Sequence, residues 1–198
     1  MNKKFLTVSG TALAAVIALS GCAAGGGMAG MNHGGSSPVV GTPMASAADH
    51  NAADTMFAQM MIPHHAQAVE MADVILKKQN IPAKVSALAT KIKAEQAPEI
   101  EKMTGWLKGW KESATPSAGH SMDGMMGADE MKKLGAAQGP DAAKLFLTQM
   151  IAHHQGAVMM AKTQEADGQN SEAVALAKTI ITSQQKEIQE MKDLLATL

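Results

Sequence analysis

Two adjacent histidine pairs, His64-His65 and His153-His154, carry the most chemistry in this chain. Each pair has a methionine three residues before its first histidine, Met61 and Met150, and another seven residues after it, Met71 and Met160. At about 100° per residue, this spacing puts one histidine of each pair and both of its methionines on a single helix face. The second histidine of each pair lies at the edge of that face or against the neighbouring helix. Thioether sulfur and neutral imidazole together suit soft monovalent ions, Cu(I) and by the same logic Ag(I). Zinc is less favoured, since it takes cysteine, histidine and carboxylate more readily than methionine.

The pairs belong to an internal duplication. Phe57 to Ala72 aligns with Phe146 to Ala161 at an offset of 89. Leu88, Ile92, Glu99, Ile100, Met103 and Leu107 align with Leu176, Ile180, Glu187, Ile188, Met191 and Leu195 at an offset of 88. Apolar residues recur every three and four positions in both copies, so each copy reads as two helices joined by a turn. A single hairpin cannot hide its apolar stripe, and two of them make an up-down four-helix bundle. The expected organisation is a first hairpin over 51–112, a Met/Gly-rich loop over 113–139 and a second hairpin over 140–198.

The second helix of each hairpin places a glutamate, Glu99 or Glu187, inside its apolar stripe beside Met103 or Met191. A buried carboxylate needs a partner, and the histidines are the obvious ones, as hydrogen-bond donors or as fellow metal ligands. Pro63 and Pro98 each precede one of these inward polar residues and either kink their helices or start fresh helical segments. Di-iron carboxylate bundles use Glu-x-x-His on two helices and a lone glutamate on the other two. Here the lone glutamates exist, but the motif reads Met61-x-x-His64 and Met150-x-x-His153. Thioether in place of carboxylate removes charge that iron wants and supplies a soft donor.

The rest of the sequence bounds the class. Its 198 residues contain 17 methionines, no tyrosine and one cysteine, and all 17 bases are lysine against 18 acids. Without arginine, basic excess or many aromatic rings, nucleic acid is not an expected partner. Lys3 and Lys4 precede an apolar run, Phe5 to Leu19, which is short of the roughly 20 residues of a membrane-spanning helix and reads as a signal peptide over 1–21. Leu19-Ser20-Gly21-Cys22 resembles the bacterial lipobox, which makes Cys22 the lipidation site. Residues 22–50 are rich in Gly, Ala, Ser and Pro, with Met28, Met31, His33, Met44 and His50 among them, and read as a flexible tether. His120, Met122, Met125 and Met126 in the central loop repeat the same soft-donor chemistry.

With its two copies of Phe-x-x-x-Met-Ile-x-His-His-x-x-Ala-x-x-Met-Ala, the chain resembles the bacterial secreted and lipid-anchored proteins called domain-of-unknown-function family 305. The resemblance covers about 51–198 and implies a ferritin-like, all-α four-helix fold with a link to copper or other metal stress in the cell envelope. Carried over by position, the motif residues are His64, His65, Met71, His153, His154 and Met160. Ala152 stands where the first copy has Pro63.

Three functions are consistent with these features. The favoured one is a cell-envelope lipoprotein that binds Cu(I) or Ag(I) for sequestration or transfer, a binding role rather than a catalytic one, with enzyme activity left open. The site would draw on Met61, His64, His65, Met71, Glu99, Met103, Met150, His153, His154, Met160, Glu187 and Met191, with the loop residues as further donors. The others are a ferritin-like metallo-oxidase built on histidine and glutamate, and a metal-free structural or interaction bundle. The implied partners are the membrane, through lipid on Cys22, the metal ion, and an envelope protein that receives it or a second copy of the chain. The expected location is the envelope, facing the periplasm, at the outer membrane if the cell is Gram-negative, or outside the cell.

Overall fold

The computed structural model describes residues 49–115 and 122–198, and the described residues are all-α with no strand. Cys22, the tether up to residue 48 and His120 lie outside the described residues. Two long hairpins form the bundle: α1 (Ala52–Leu76) with α2 (Ala83–Trp110), and α4 (Gly139–Asp167) with α5 (Ser171–Leu195). The hairpins meet mainly through α1 and α4. A short fifth helix, α3 (Ala128–Ala136), falls in the stretch expected to be loop. The signal for it was present: Asp129 and Glu130 occupy its first turn, and the Glu130 carboxylate accepts from the Gly127 N–H at 2.8 Å.

Local chemistry fixes the helix starts. Asn51 and Asp54 form a reciprocal capping box on α1, and the Asn170 side chain accepts from the N–H groups of Glu172 and Ala173 on α5. Asp54 does more than cap its own helix. It is fully buried and also accepts from the Gln164 side chain and from the Gln169 and Asn170 N–H groups, tying the start of α1 to the α4–α5 turn. Burial pushes its pKa up, but these hydrogen bonds outweigh that and hold the carboxyl below its usual range. Both prolines lie within unbroken helices, Pro63 in α1 and Pro98 in α2, so neither starts a new segment.

The apolar core is divided in two. One cluster contains Met71, Ile75, Leu88, Ile92, Phe146, Met150 and Met191. The other contains Phe57, Met61, Met103, Leu107, Ala157, Leu176 and Ile180. Along every long helix the two clusters are separated by the turn that carries a histidine pair or a glutamate. The polar residues thus form a layer across the middle of the bundle.

Candidate metal centre

All four histidines of the doubled motif are fully buried. His64 and His153 stand against each other where α1 meets α4, with ring centroids 3.7 Å apart and planes tilted by 37°. His65 and His154 face the other way, each toward its own hairpin partner. His65 Nε2 donates to Glu99 Oε2 at 2.8 Å, and His154 Nε2 donates to Glu187 Oε2 at 2.8 Å. The carboxylate partner is therefore the second histidine of each pair, a choice that the spacing alone leaves open.

The two halves differ in exposure. The Glu187 side chain is 2% exposed and that of Glu99 is 17% exposed. Lys91 Nζ lies 3.4 Å from Glu187 Oε1. Burial raises the Glu187 pKa, but the His154 hydrogen bond and the charges facing it outweigh burial and hold it below the usual carboxylate range. Gln96 and Gln184, related by the same offset of 88, extend the layer; both are buried, and the Gln96 amide group and Gln184 Oε1 have no hydrogen-bond partner among the described residues. Their recurrence one turn before each glutamate is the signal in the sequence that marks them.

Neutral imidazole is the form that binds a metal, and burial enforces it here. Removal from water, followed by repulsion from neighbouring His65, pushes the His64 pKa down to about 3. Burial and the facing His64 drive His153 well below its usual value, and burial lowers His154 despite the opposing pull of Glu187. Five ring nitrogens have no partner among the described residues: Nδ1 of His64, His65 and His154, and both nitrogens of His153. Buried nitrogens that leave a lone pair unused are uncommon and call for an explanation. For His65 and His154 the pattern is specific, because a carboxylate on Nε2–H fixes the tautomer and leaves the Nδ1 lone pair free, the way a carboxylate orients a metal-binding histidine.

A surface turn closes this layer. His64 Nε2 donates to the Asp123 carbonyl at 3.3 Å. The turn reaches that depth because Gly156 has no side chain; a Cβ there would collide with the Asp123 carbonyl. Gly124 has φ +83° and packs on the backbone of α4 at Ala152 and His153. On the other side, Gln67 holds Met126 by both amide atoms, accepting from its N–H at 2.7 Å and donating to its carbonyl at 2.9 Å. Residues 122–127 are thus seated on the bundle, which brings Met126 against the core. Neither Gly156 nor the Gln67 clamp was singled out from sequence.

The predicted methionines fall into distinct surroundings. Met61, Met71, Met103, Met150 and Met191 are fully buried in the two apolar clusters. Met160 is half-buried, and Met122, Met125 and Met126 are half-buried in the closing segment. His50, from the expected tether, stacks on Trp110 with ring centroids 4.4 Å apart. Among the described residues, no group of three or more His, Cys, Asp or Glu is arranged to hold a metal. The two carboxylates serve separate histidines, Glu99 on His65 and Glu187 on His154. No described helix is long and apolar enough to cross a membrane.

The profile of a family described as Domain of unknown function (DUF305) matches residues 54–195. The chain belongs to the DUF305 family. Its bundle is similar to that of a DUF305 protein from Streptomyces coelicolor described as secreted, with TM-score 0.70 and 38% identity over 76% of this chain and 94% of that one. A DUF305 fragment from Deinococcus radiodurans matches with TM-score 0.68 and 31% identity over 75% and 98%. CopM in its Cu(I)-bound form matches with TM-score 0.62 and 33% identity over 73% and 96%. CopM also has Cu(II)-bound and Ag-bound forms, which match with TM-scores 0.63 and 0.62. Among curated proteins, none matches this DUF305 chain.

Proposed function

We propose that this DUF305 protein binds Cu(I), or Ag(I) in its place, in the buried histidine layer, and that it holds or hands on the ion in the cell envelope. The observation that carries the proposal is the set of four buried imidazoles with unpartnered nitrogens, two of them oriented by carboxylates. A soft monovalent cation gains imidazole donors there, and its charge is welcome beside Glu99 and Glu187. Met61 and Met150 lie one turn from the histidines and fit as thioether donors. The copper- and silver-bound forms of CopM, a relative at 33–34% identity, support the same chemistry. In this reading lipid on Cys22 anchors the chain, and the soft donors His120, Met122, Met125 and Met126 of the central segment collect metal for the layer. The description of the Streptomyces relative as secreted supports a site of action outside the cytoplasm.

Anaerobic titration with Cu(I) against a colorimetric Cu(I) chelator tests this reading. The chain should withdraw Cu(I) from the chelator, and substitution of His64, His65, His153 and His154 by alanine should abolish the withdrawal. Failure of the unsubstituted chain to compete, or unchanged uptake by a folded four-histidine variant, would contradict it.

A further inference from the structure

The duplication gives the bundle two equivalent grooves between α1 and α4, and only one of them is covered by a described helix. Helix α3 lies over the groove formed by the end of α1 and the start of α4. It is held there by Lys78 Nζ donating to the Gly135 carbonyl at 2.8 Å and Gln149 Nε2 donating to the Glu130 carbonyl at 3.1 Å. The equivalent groove, between the start of α1 and the end of α4, is an open cavity of about 630 Å³.

Translating one groove onto the other by 89 residues shows what changed. Gln149, which holds α3, corresponds to Met60; Leu145 corresponds to Met56; Glu70 corresponds to Met159. All three of these methionines line the open groove, together with Met160. Met56 is 41% exposed and Met159 is 52% exposed, and they are the two exposed methionines among the described residues. An exposed thioether gains little from burial and is open to oxidation, so two of them facing one groove are not accounted for by packing.

We propose that Met56, Met60, Met159 and Met160 form a second soft-metal site, an all-thioether surface site for Cu(I) or Ag(I) distinct from the histidine layer. Thioethers are neutral, soft ligands that select monovalent copper and silver over harder divalent ions. Asp123 lines the same groove, while its carbonyl accepts the hydrogen bond from His64. Asp123 therefore borders both the groove and the histidine layer, and the Asp123–Gly124 turn is where an ion captured outside would pass inward. This inference rests on the soft-metal reading above, but it concerns different side chains and fails separately.

Titration of the full chain, carrying ¹³C-labelled methionine methyl groups and ¹⁵N-labelled histidine, with silver nitrate tests the site by NMR. The methyl signals of Met56, Met60 and Met159 should shift on silver addition. The variant Met56→Leu, Met159→Leu, which changes two exposed side chains, should lose the Met60 methyl shift while the imidazole nitrogens respond as before. Groove methyl signals that stay unmoved while every other responding signal saturates would overturn the proposal, as would a Met60 shift that persists in the variant. A groove response without any imidazole response would uphold this site and sink the histidine layer instead.

Discussion

His64 and His153 face each other across the α1–α4 contact with ring centroids 3.7 Å apart, both fully buried. Two imidazolium ions could not share that position, and burial with the neighbouring histidines lowers the pKa of both rings. Behind each of them the next residue, His65 or His154, is turned through about 100° onto a glutamate of its own hairpin. The doubled motif thus does two jobs: one histidine of each pair meets its counterpart across the bundle axis, and the other is held by a carboxylate.

Acid should destabilise the metal-free bundle well above the range where carboxylates titrate. The folded state holds His64 near 3, while the unfolded chain takes up that proton near 6.5. The unfolded state then binds more protons between those values, so stability is full above pH 6.5 and falls as pH drops toward 3. His153 and His154 shift in the same direction. Between pH 6.5 and 4.5 the loss should be on the order of 2–3 kcal/mol from His64 alone. Urea denaturation across this range measures it, and a flat profile down to pH 4.5 would contradict neutral buried imidazoles.

The two glutamates should not be equivalent. Glu187→Ala leaves His154 Nε2 buried without a partner and should cost about 2–4 kcal/mol. Glu99→Ala leaves a site that water can reach, since the Glu99 side chain is 17% exposed, and should cost about half as much. Thermal denaturation of the two variants gives the order. Both should also weaken Cu(I) binding by about 10- to 100-fold, because the histidine loses its orienting carboxylate.

Gly156→Ala opposes two effects. Alanine favours a helix over glycine by up to about 1 kcal/mol, but its methyl collides with the Asp123 carbonyl. Because the obstacle is backbone, the Asp123–Gly124 turn must lift, and a net loss of about 1–3 kcal/mol is expected. Hydrogen exchange should show faster exchange over 122–127 with α2 and α5 unchanged.

Much of this arrangement was legible in the sequence because duplication wrote it twice. The inward histidines, the glutamate in each second helix and the hairpin order all follow from recurrence at offsets of 88 and 89. Which histidine meets the glutamate was left open, since two adjacent residues 100° apart both border the same stripe and packing decides between them. Helix α3 was missed because nine residues with few apolar positions barely define a period, although Asp129 and Glu130 marked its start. The role of Asp54 was hidden for a different reason. Its Asn51-x-x-Asp54 cap is local, but its other partners, Gln164, Gln169 and Asn170, lie more than 100 residues away.

That long-range tie gives a further prediction. Asp54→Ala strands buried N–H groups at the α4–α5 turn and should cost about 2–4 kcal/mol, whereas Asp54→Asn keeps one acceptor and should cost less. Chemical denaturation distinguishes them, and equal stability of all three proteins would show that the tie contributes nothing.

The most direct test of the central claim is the ¹⁵N signal of each imidazole nitrogen during titration with Ag(I), a diamagnetic stand-in for Cu(I). The buried layer predicts that Nδ1 of His65 and His154 shifts on metal binding while their Nε2–H groups stay bonded to Glu99 and Glu187, with His64 and His153 responding together. Silver that binds the chain without moving any of these nitrogens would contradict the account.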